Sequence, residues 1–188
     1  MRCHTLKCFC DALHRRRRGS HFVKPRLLSN DLSQPRIFCA GANLKERNGM
    51  TDAQWMAQHA LFEQMIMALM DCPVPVIAAI NGASYAGGFE MTLGCDFVYA
   101  SKTARFALTE VTLGIMPGAC GTQNLPRAVG LRRAKEIILT GEPISAEQAY
   151  EYGIVNKLCE PKNLLDDAFT TAQKICDNAP IGHPMVQL

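Results

Sequence analysis

The sequence has no apolar run that approaches the roughly 18 residues of a membrane-spanning helix. Its longest apolar stretch is interrupted by Pro73, Pro75, Asn81 and Gly82. Apolar residues make up 48% of the chain and charged residues 20%, which is typical of soluble globular proteins and excludes wholesale disorder. We therefore expect no membrane span, and 188 residues are most simply one domain that buries roughly 70% of its unfolded surface.

Metal-ligand spacing is absent as well. Cys8 and Cys10 form the only close cysteine pair, and neither a second pair nor suitably spaced histidines follow them. The nine cysteines are an odd number, and Cys72, Cys95 and Cys176 lie among helical or apolar residues. This pattern favours reduced thiols, and we expect no metal site.

The positive charge is concentrated at the start of the chain. Residues 1–36 hold nine Lys or Arg and two Asp, a net charge of +7, so a net charge of −4 remains for the rest of the +3 chain. This segment has a run of four arginines at 15–18 and no sustained period of 2 or 3.6 residues. We interpret it as a solvated, poorly ordered basic segment, with a nucleic-acid patch and an Arg-rich targeting peptide as alternatives. The predicted location is the cytoplasm, with the mitochondrial matrix as the alternative.

From residue 37 onward, short apolar runs alternate with amphipathic stretches. Thr51 and Gln54 form a capping box, and apolar residues then repeat at helical spacing, which predicts a helix with one buried face. That face comprises Phe62, Met65, Ile66, Leu69 and Met70. The run at 76–80 predicts a fully buried strand in a parallel sheet, and further strands are predicted at 37–39, 97–100 and 154–158.

Helices are predicted at 131–140, at 164–176, and from a second capping box at Ser145 and Gln148 to Gly153. Such alternation predicts an α/β layer architecture for residues 37–188.

Two glycines at a predicted helix start point to chemistry. Gly87 and Gly88 have no Cβ, and the first N–H groups of a helix are unpaired and lie at the positive end of its dipole. The N–H of Ala42, beside Gly41, can supply a second donor, so that both form an oxyanion hole. The alternative is that these glycines only allow close packing and a turn.

Two glutamates complete this pattern. Glu90 lies in the first turn of the predicted helix, where the dipole stabilises a carboxylate whatever its function. Glu110 stands in an apolar stretch between Leu108 and Val111, and burial there raises a carboxyl pKa toward the range of a general acid or base. Two such carboxyl groups can hold one water molecule and exchange protons with it and with a carbon atom.

In order along the chain, these segments resemble the enoyl-CoA hydratases of the crotonase superfamily. The resemblance extends from residue 37 to about residue 180 and is carried by FCAGANLKE (38–46), PVIAAING (75–82), GGFE (87–90), CD (95–96), EVTLGIMPG (110–118), GTQ (121–123), LTG (139–141) and AYEYGIV (149–155). It implies a crotonase-like ββα spiral fold of the ClpP/crotonase type. It also implies an acyl-CoA substrate, a homotrimer or hexamer, and no cofactor beyond the coenzyme A of the substrate.

The resemblance also implies roles for individual residues. Glu90 and Glu110 correspond to the catalytic pair, which adds water across a 2,3-double bond. Ala42 and Gly87 correspond to the oxyanion donors. The other residues at substrate-binding positions are Ala40, Asn43, Leu44, Lys45 and Gly118, with Lys45 near the coenzyme A.

The chain departs from the family pattern at Asn43, usually Asp, and at Ala86 and Cys120, both usually Gly. Residues 1–36 do not resemble the family's opening strands, and relatives continue beyond the last residues, so we expect a fragment that is incomplete at both ends. An enoyl-CoA isomerase, an acyl-CoA dehydratase or racemase, and an inactive or RNA-binding relative remain alternatives, although the presence of both glutamates favours hydration.

Overall fold

The computed structural model describes residues 26–29 and 37–178, which form two four-stranded sheets and seven α-helices. The first sheet has the order β1-β3-β5-β8 and the second β2-β4-β6-β7. The strands are β1 Arg26–Ser29, β2 Ile37–Cys39, β3 Val76–Ile80, β4 Ala83–Tyr85, β5 Phe97–Ser101, β6 Arg105–Ala107, β7 Ile144–Ser145 and β8 Lys157–Cys159. The helices are α1 Leu44–Arg47, α2 Asp52–Met70, α3 Gly87–Leu93, α4 Gly121–Val129, α5 Leu131–Thr140, α6 Ala146–Glu151 and α7 Leu164–Cys176, with 3-10 turns at Glu110–Leu113 and Pro161–Asn163.

The first sheet is entirely parallel and is covered on both faces. Alternate residues of β3 belong to different clusters: Ile77 and Ala79 pack with Leu164 and Ala168 of α7, whereas Ile80 faces the larger core. Burial on both faces explains why the predicted strand at 76–80 is apolar at every position, and the structure confirms that strand.

The second sheet positions the candidate site. Strands β2, β4 and β6 are parallel, and β7 pairs antiparallel with β6. The chain crosses twice from the first sheet to the second through very short connections, from β3 to β4 and from β5 to β6. Because the three parallel strands run in one direction, the segments that follow them emerge at the same edge of the sheet.

Helix α2 is only partly buried. The capping box of Thr51 and Gln54 is confirmed, and Met65, Ile66 and Leu69 are buried. Phe62 is half-buried, whereas Met70, which the sequence interpretation placed on the buried face, is exposed. The first half of the helix therefore has a largely exposed surface.

The predicted strand at 154–158 is wrong in position. Ile154 and Val155 are buried, but both N–H groups donate to the carbonyl of Ala149 and close the end of α6. These N–H groups cannot join a sheet ladder, so β8 begins at Lys157. Helices α5 and α7 match the predicted ranges, and α6 has the predicted capping box but ends two residues before Gly153.

One strand lies where no regular structure is expected. β1 pairs in parallel with β3, from Arg26 opposite Val76 to Ser29 opposite Ala79. At these four residues the structure corrects the interpretation of residues 1–36 as poorly ordered, while the arginine run at 15–18 lies outside the described residues. The boundary between residues 36 and 37 stays a prediction. None of the described helices combines the length and the hydropathy that a membrane span requires.

Candidate functional site

The ends of β2 and β4 bring the two predicted oxyanion donors into neighbouring positions. Gly41 has a φ of +87°, and a Cβ placed on it would lie 2.9 Å from the Cβ of Ala86 and 3.6 Å from the backbone nitrogen of Gly87. Position 41 therefore requires glycine, both for its backbone conformation and for its close neighbours. As a result, Ala42 and Gly87 lie in adjacent segments at one edge of the second sheet.

Ala86 holds the start of α3 in place. Its N–H donates to the carbonyl of Ala107 at the end of β6, and its own carbonyl accepts from Phe89 and Glu90 at 2.8 and 3.0 Å. Its φ of 50° and ψ of −127° are strained for a residue with a Cβ. The first residue of the helix is Gly87, whose N–H has no intrahelical acceptor.

Gly88 serves close packing. A Cβ at this position would overlap the carbonyl oxygen of Cys39, so α3 rests directly on β2. The packing interpretation of the glycine pair therefore holds for Gly88, while Gly87 lies beside Gly41 and its amide is unpaired within the part of the chain that the structure describes.

Glu90 is almost completely buried, with 2% of its surface exposed. Its Oε1 accepts the N–H of Ala119 at 2.7 Å and the N–H of Gly121 at 2.9 Å, at the start of α4. Burial raises the pKa of this carboxyl group, and the backbone donors of Gly121, Ala119 and Gly118 oppose that rise because they stabilise the anion. Glu90 is thus a buried carboxyl group with one oxygen held in a fixed direction.

Glu110 opens the 3-10 turn after β6 and is 7% exposed. Its Oε2 is buried and has no hydrogen-bond partner among the described residues. Burial raises the pKa of Glu110; its own backbone N–H lowers it, and the charge of Glu90 raises it further. The influence of one glutamate on the other indicates that both carboxyl groups share one region of the protein.

The remaining predicted residues are distributed between the site and the surface. Gly118 immediately precedes Ala119, and its own backbone also lowers the pKa of Glu90. Ala40 and Asn43 follow β2 and are exposed, and Asn43 precedes the short helix α1, which carries Leu44 and Lys45 on the surface. Lys45 is therefore close to the Ala42 segment along the chain but is not part of the buried pair.

Sequence reasoning missed the backbone groups that hold Glu90. Ala119 and Gly121 act through their amides, which leave no chemical signature in a side chain. The sequence feature that relates to this arrangement is the glycine at position 121. A Cβ there would lie 2.8 Å from Oε1 of Glu90, so a residue with a side chain would crowd the carboxyl group. The sequence also gives no sign that the ring of His59 lies beside Gly118, and it predicts Phe62 only as part of the buried face of α2.

Comparison with known proteins agrees with this arrangement. The profile of the enoyl-CoA hydratase/isomerase family matches residues 32–187. The chain is 42% identical over 145 residues to the short-chain-enoyl-CoA hydratase of Clostridium acetobutylicum and, over a stretch of the same length, to the (E)-benzylidenesuccinyl-CoA hydratase of Thauera aromatica. Each match covers 77% of this chain and 56% of the relative. The chain thus spans little more than half the length of these curated relatives.

A solved structure is similar over nearly the whole chain. The crystal structure of an enoyl-CoA hydratase from Bacillus anthracis superimposes with a TM-score of 0.86 at 38% sequence identity, covering 98% of this chain and 69% of that one. This similarity confirms the predicted crotonase-like fold. Taken together, the profile match, the curated relatives and the shared fold show that the chain belongs to the enoyl-CoA hydratase/isomerase family.

Proposed function

We propose that this protein is an enoyl-CoA hydratase that adds water across the 2,3-double bond of an acyl-CoA thioester. The observation that carries the proposal is the pair of buried glutamates that share one region of the protein, together with the adjacent segments that hold the amides of Ala42 and Gly87. Hydratases among the relatives act on enoyl-CoA by name, which supports the same substrate class here. The substrate brings its own coenzyme A, and we propose no further cofactor.

The amides of Ala42 and Gly87 bind the thioester oxygen, where negative charge develops when water attacks C3. Donors fixed in this way stabilise the enolate, and removal of a single such donor typically costs about 10²–10³ in rate. Ala40, Asn43 and Leu44 flank the donor segment, and Lys45 on the adjacent surface offers a cation to the phosphates of coenzyme A.

The two glutamates divide the proton transfers. Backbone donors favour the anion of Glu90, whereas Glu110 has an oxygen without a partner among the described residues and is repelled by the charge of Glu90, so we assign the shared proton to Glu110. Glu90 accepts a proton from water as the water oxygen bonds to C3, the π electrons of the double bond move to C2 and the thioester, and Glu110 protonates C2. Proton return from Glu90 to Glu110 regenerates the pair.

Hydration of crotonyl-CoA tests this proposal through the loss of absorbance of the conjugated enoyl thioester. We expect Glu90→Gln and Glu110→Gln each to lower kcat by about 10²–10⁴, because each removes one proton transfer. The control is Glu142→Gln, at an exposed glutamate outside the site. Activity that survives both site substitutions would sink the mechanism.

The assembly and the location are proposals as well. We propose a homotrimer or hexamer, supported by the exposed apolar side chains of Val111, Leu113, Ile115 and Met116 beside Glu110. We propose the cytoplasm as the location, with the mitochondrial matrix as the alternative, which the name of the mitochondrial enoyl-CoA hydratase of Pongo abelii supports. Sedimentation and fractionation measurements test these two points.

A further inference from the structure

A row of aromatic rings on helix α2 extends outward from the candidate site. Trp55, His59 and Phe62 are spaced at i, i+4 and i+7, which places them on one face of a helix. Phe62 lies at the inner end, since its Cζ is 3.2 Å from the position that a Cβ on Gly87 would occupy. The row therefore begins at one of the two proposed oxyanion donors.

His59 lies at the next level of this row, against the loop that holds Glu90. Its Cε1 is 4.0 Å from the position of a Cβ on Gly118, and no other heavy atom outside the chain neighbours of Gly118 comes that close among the described residues. The absence of a side chain at Gly118 thus leaves the imidazole facing the backbone next to the Glu90 donors. A contact with Glu63, 3.2 Å between Nε2 and Oε1, orients the ring.

Trp55 stacks on the outer side of His59. The ring centroids are 4.9 Å apart and the planes differ by 10°, so the two rings stack in nearly parallel layers and together form one aromatic surface. Trp55 is 43% exposed, an unusual position for a large aromatic side chain so close to a candidate site. At about 1.5 Å of helix rise per residue, this surface extends about 10 Å outward from Phe62.

The position of this surface relates it to one part of the substrate. In the proposed reaction, the thioester oxygen lies at Gly87 and C3 lies near the carboxyl groups of Glu90 and Glu110. Because Gly118 adjoins Ala119, whose N–H donates to Glu90, atoms attached beyond C3 would pass Gly118, and the side chain against Gly118 is His59. A four-carbon acyl group has a single methyl group beyond C3, whereas a ring on C3 continues toward His59 and Trp55.

We propose that the stacked Trp55–His59 pair forms the outer wall of the acyl site and favours acyl groups with an aromatic ring on C3, as in a 3-aryl-2-enoyl thioester. This inference rests on the proposed hydratase function and adds the class of acyl group. A ring conjugated with the double bond is planar, so it presents a flat face to the pair, and aromatic stacking contributes free energy beyond the burial of its area. Trp55 and His59 are then specificity residues that take no part in proton transfer.

Hydration of cinnamoyl-CoA and crotonyl-CoA by the same protein measures this preference. In Trp55→Leu and His59→Leu, apolar bulk remains but the aromatic face is lost. We expect the ratio of kcat/KM for cinnamoyl-CoA to that for crotonyl-CoA to fall about 2- to 10-fold in each variant. Met56→Leu is the matched control, because Met56 neighbours Trp55 along the helix, is 65% exposed and points to another face.

A binding measurement separates this inference from the proposed reaction. Trp55 is the only tryptophan of the chain, so its fluorescence reports directly on this surface. The saturated thioesters 3-phenylpropanoyl-CoA and butanoyl-CoA have no double bond to hydrate. We expect 3-phenylpropanoyl-CoA to change the emission at the lower concentration and to lose this advantage in His59→Leu but not in Met56→Leu.

The outcomes distinguish two failures. Hydration of both enoyl thioesters with an unchanged ratio in Trp55→Leu and His59→Leu would leave the hydratase proposal intact and overturn the aryl preference. Absence of hydration, together with His59-dependent binding of 3-phenylpropanoyl-CoA, would reject the hydratase reaction and retain the aryl site. Equal emission midpoints for the two saturated thioesters, or an equal loss in Met56→Leu, would overturn the aryl site.

Discussion

At the scale of single residues, the two buried glutamates differ in how their oxygens are satisfied. Glu90 is held by amides at the start of a helix, and Glu110 has one buried oxygen without a partner among the described residues. A buried polar atom left unsatisfied costs free energy in the folded state. Such a cost is characteristic of a site that is arranged for a reaction at the expense of stability.

The raised pKa of Glu110 predicts how stability changes with pH. The pKa of Glu110 is higher in the folded protein than its unfolded value of 4.5. Such a group contributes its full stabilisation at pH values below 4.5, and this contribution is lost as the pH rises through the folded pKa. Glutamine has no such loss. We therefore expect Glu110→Gln to unfold at higher urea concentration than the wild type at neutral pH, with the advantage shrinking as the pH approaches 4.5.

Equilibrium urea unfolding between pH 4 and pH 8 measures this difference, with Glu142→Gln as the exposed control. An advantage of Glu110→Gln that stays constant across this range would contradict the assigned titration.

At the scale of elements, the contact between the segments that follow β2 and β4 sets the spacing of the two proposed oxyanion donors. The contact consists of Gly41 against the methyl group of Ala86. Gly114 provides a matched comparison, since its φ of +70° is also positive but, among the described residues outside its chain neighbours, no heavy atom lies within 4 Å of a Cβ placed there.

We expect Gly114→Ala to lower the free energy of unfolding by about 1 kcal/mol through backbone strain alone. Gly41→Ala should cost more, because the new methyl group must also displace Ala86 or its own loop, and it should lower crotonyl-CoA hydration by about 10-fold or more through a misplaced donor. Thermal unfolding and the hydration assay check both variants. Equal effects of the two substitutions would show that the Gly41–Ala86 contact does not set the site.

At the scale of the whole molecule, the first sheet is stabilised from two sides, and α7 supplies one of them. Leu164 of α7 is fully buried against Ile77 and Ala79, while Phe169 of the same helix is 57% exposed. We expect Leu164→Ala to lower the free energy of unfolding by about 2–5 kcal/mol and Phe169→Ala to change it by less than about 0.5 kcal/mol.

Urea unfolding followed by circular dichroism measures both effects. Similar values for Leu164→Ala and Phe169→Ala would show that α7 does not cover the first sheet as described.

The sequence predicted those elements whose signals are local. The all-apolar run of β3 and the capping boxes at Thr51 and Ser145 each require only neighbouring residues, and each was confirmed. β1 was missed because its four residues carry little pattern of their own and gain their order from pairing with β3. Long-range pairing of this kind leaves no local periodicity.

The same division applies to the candidate site. Glu90 and Glu110 stood out because charged residues in apolar surroundings need a reason. The amides of Ala119 and Gly121 and the neighbourhood of His59 and Gly118 became visible only through folding, since they depend on which segments meet in space.

In the second sheet, the segments that carry Ala42, Gly87 and Glu110 follow three separate strands, β2, β4 and β6, which run in the same direction. Each of these three segments follows a separate strand, so the sequence of one segment can change while the strands keep their pairing. A change of reaction in a protein with this fold therefore requires new loop sequences but no new sheet topology. We expect substitutions to be tolerated differently in the strands and in the segments that follow them.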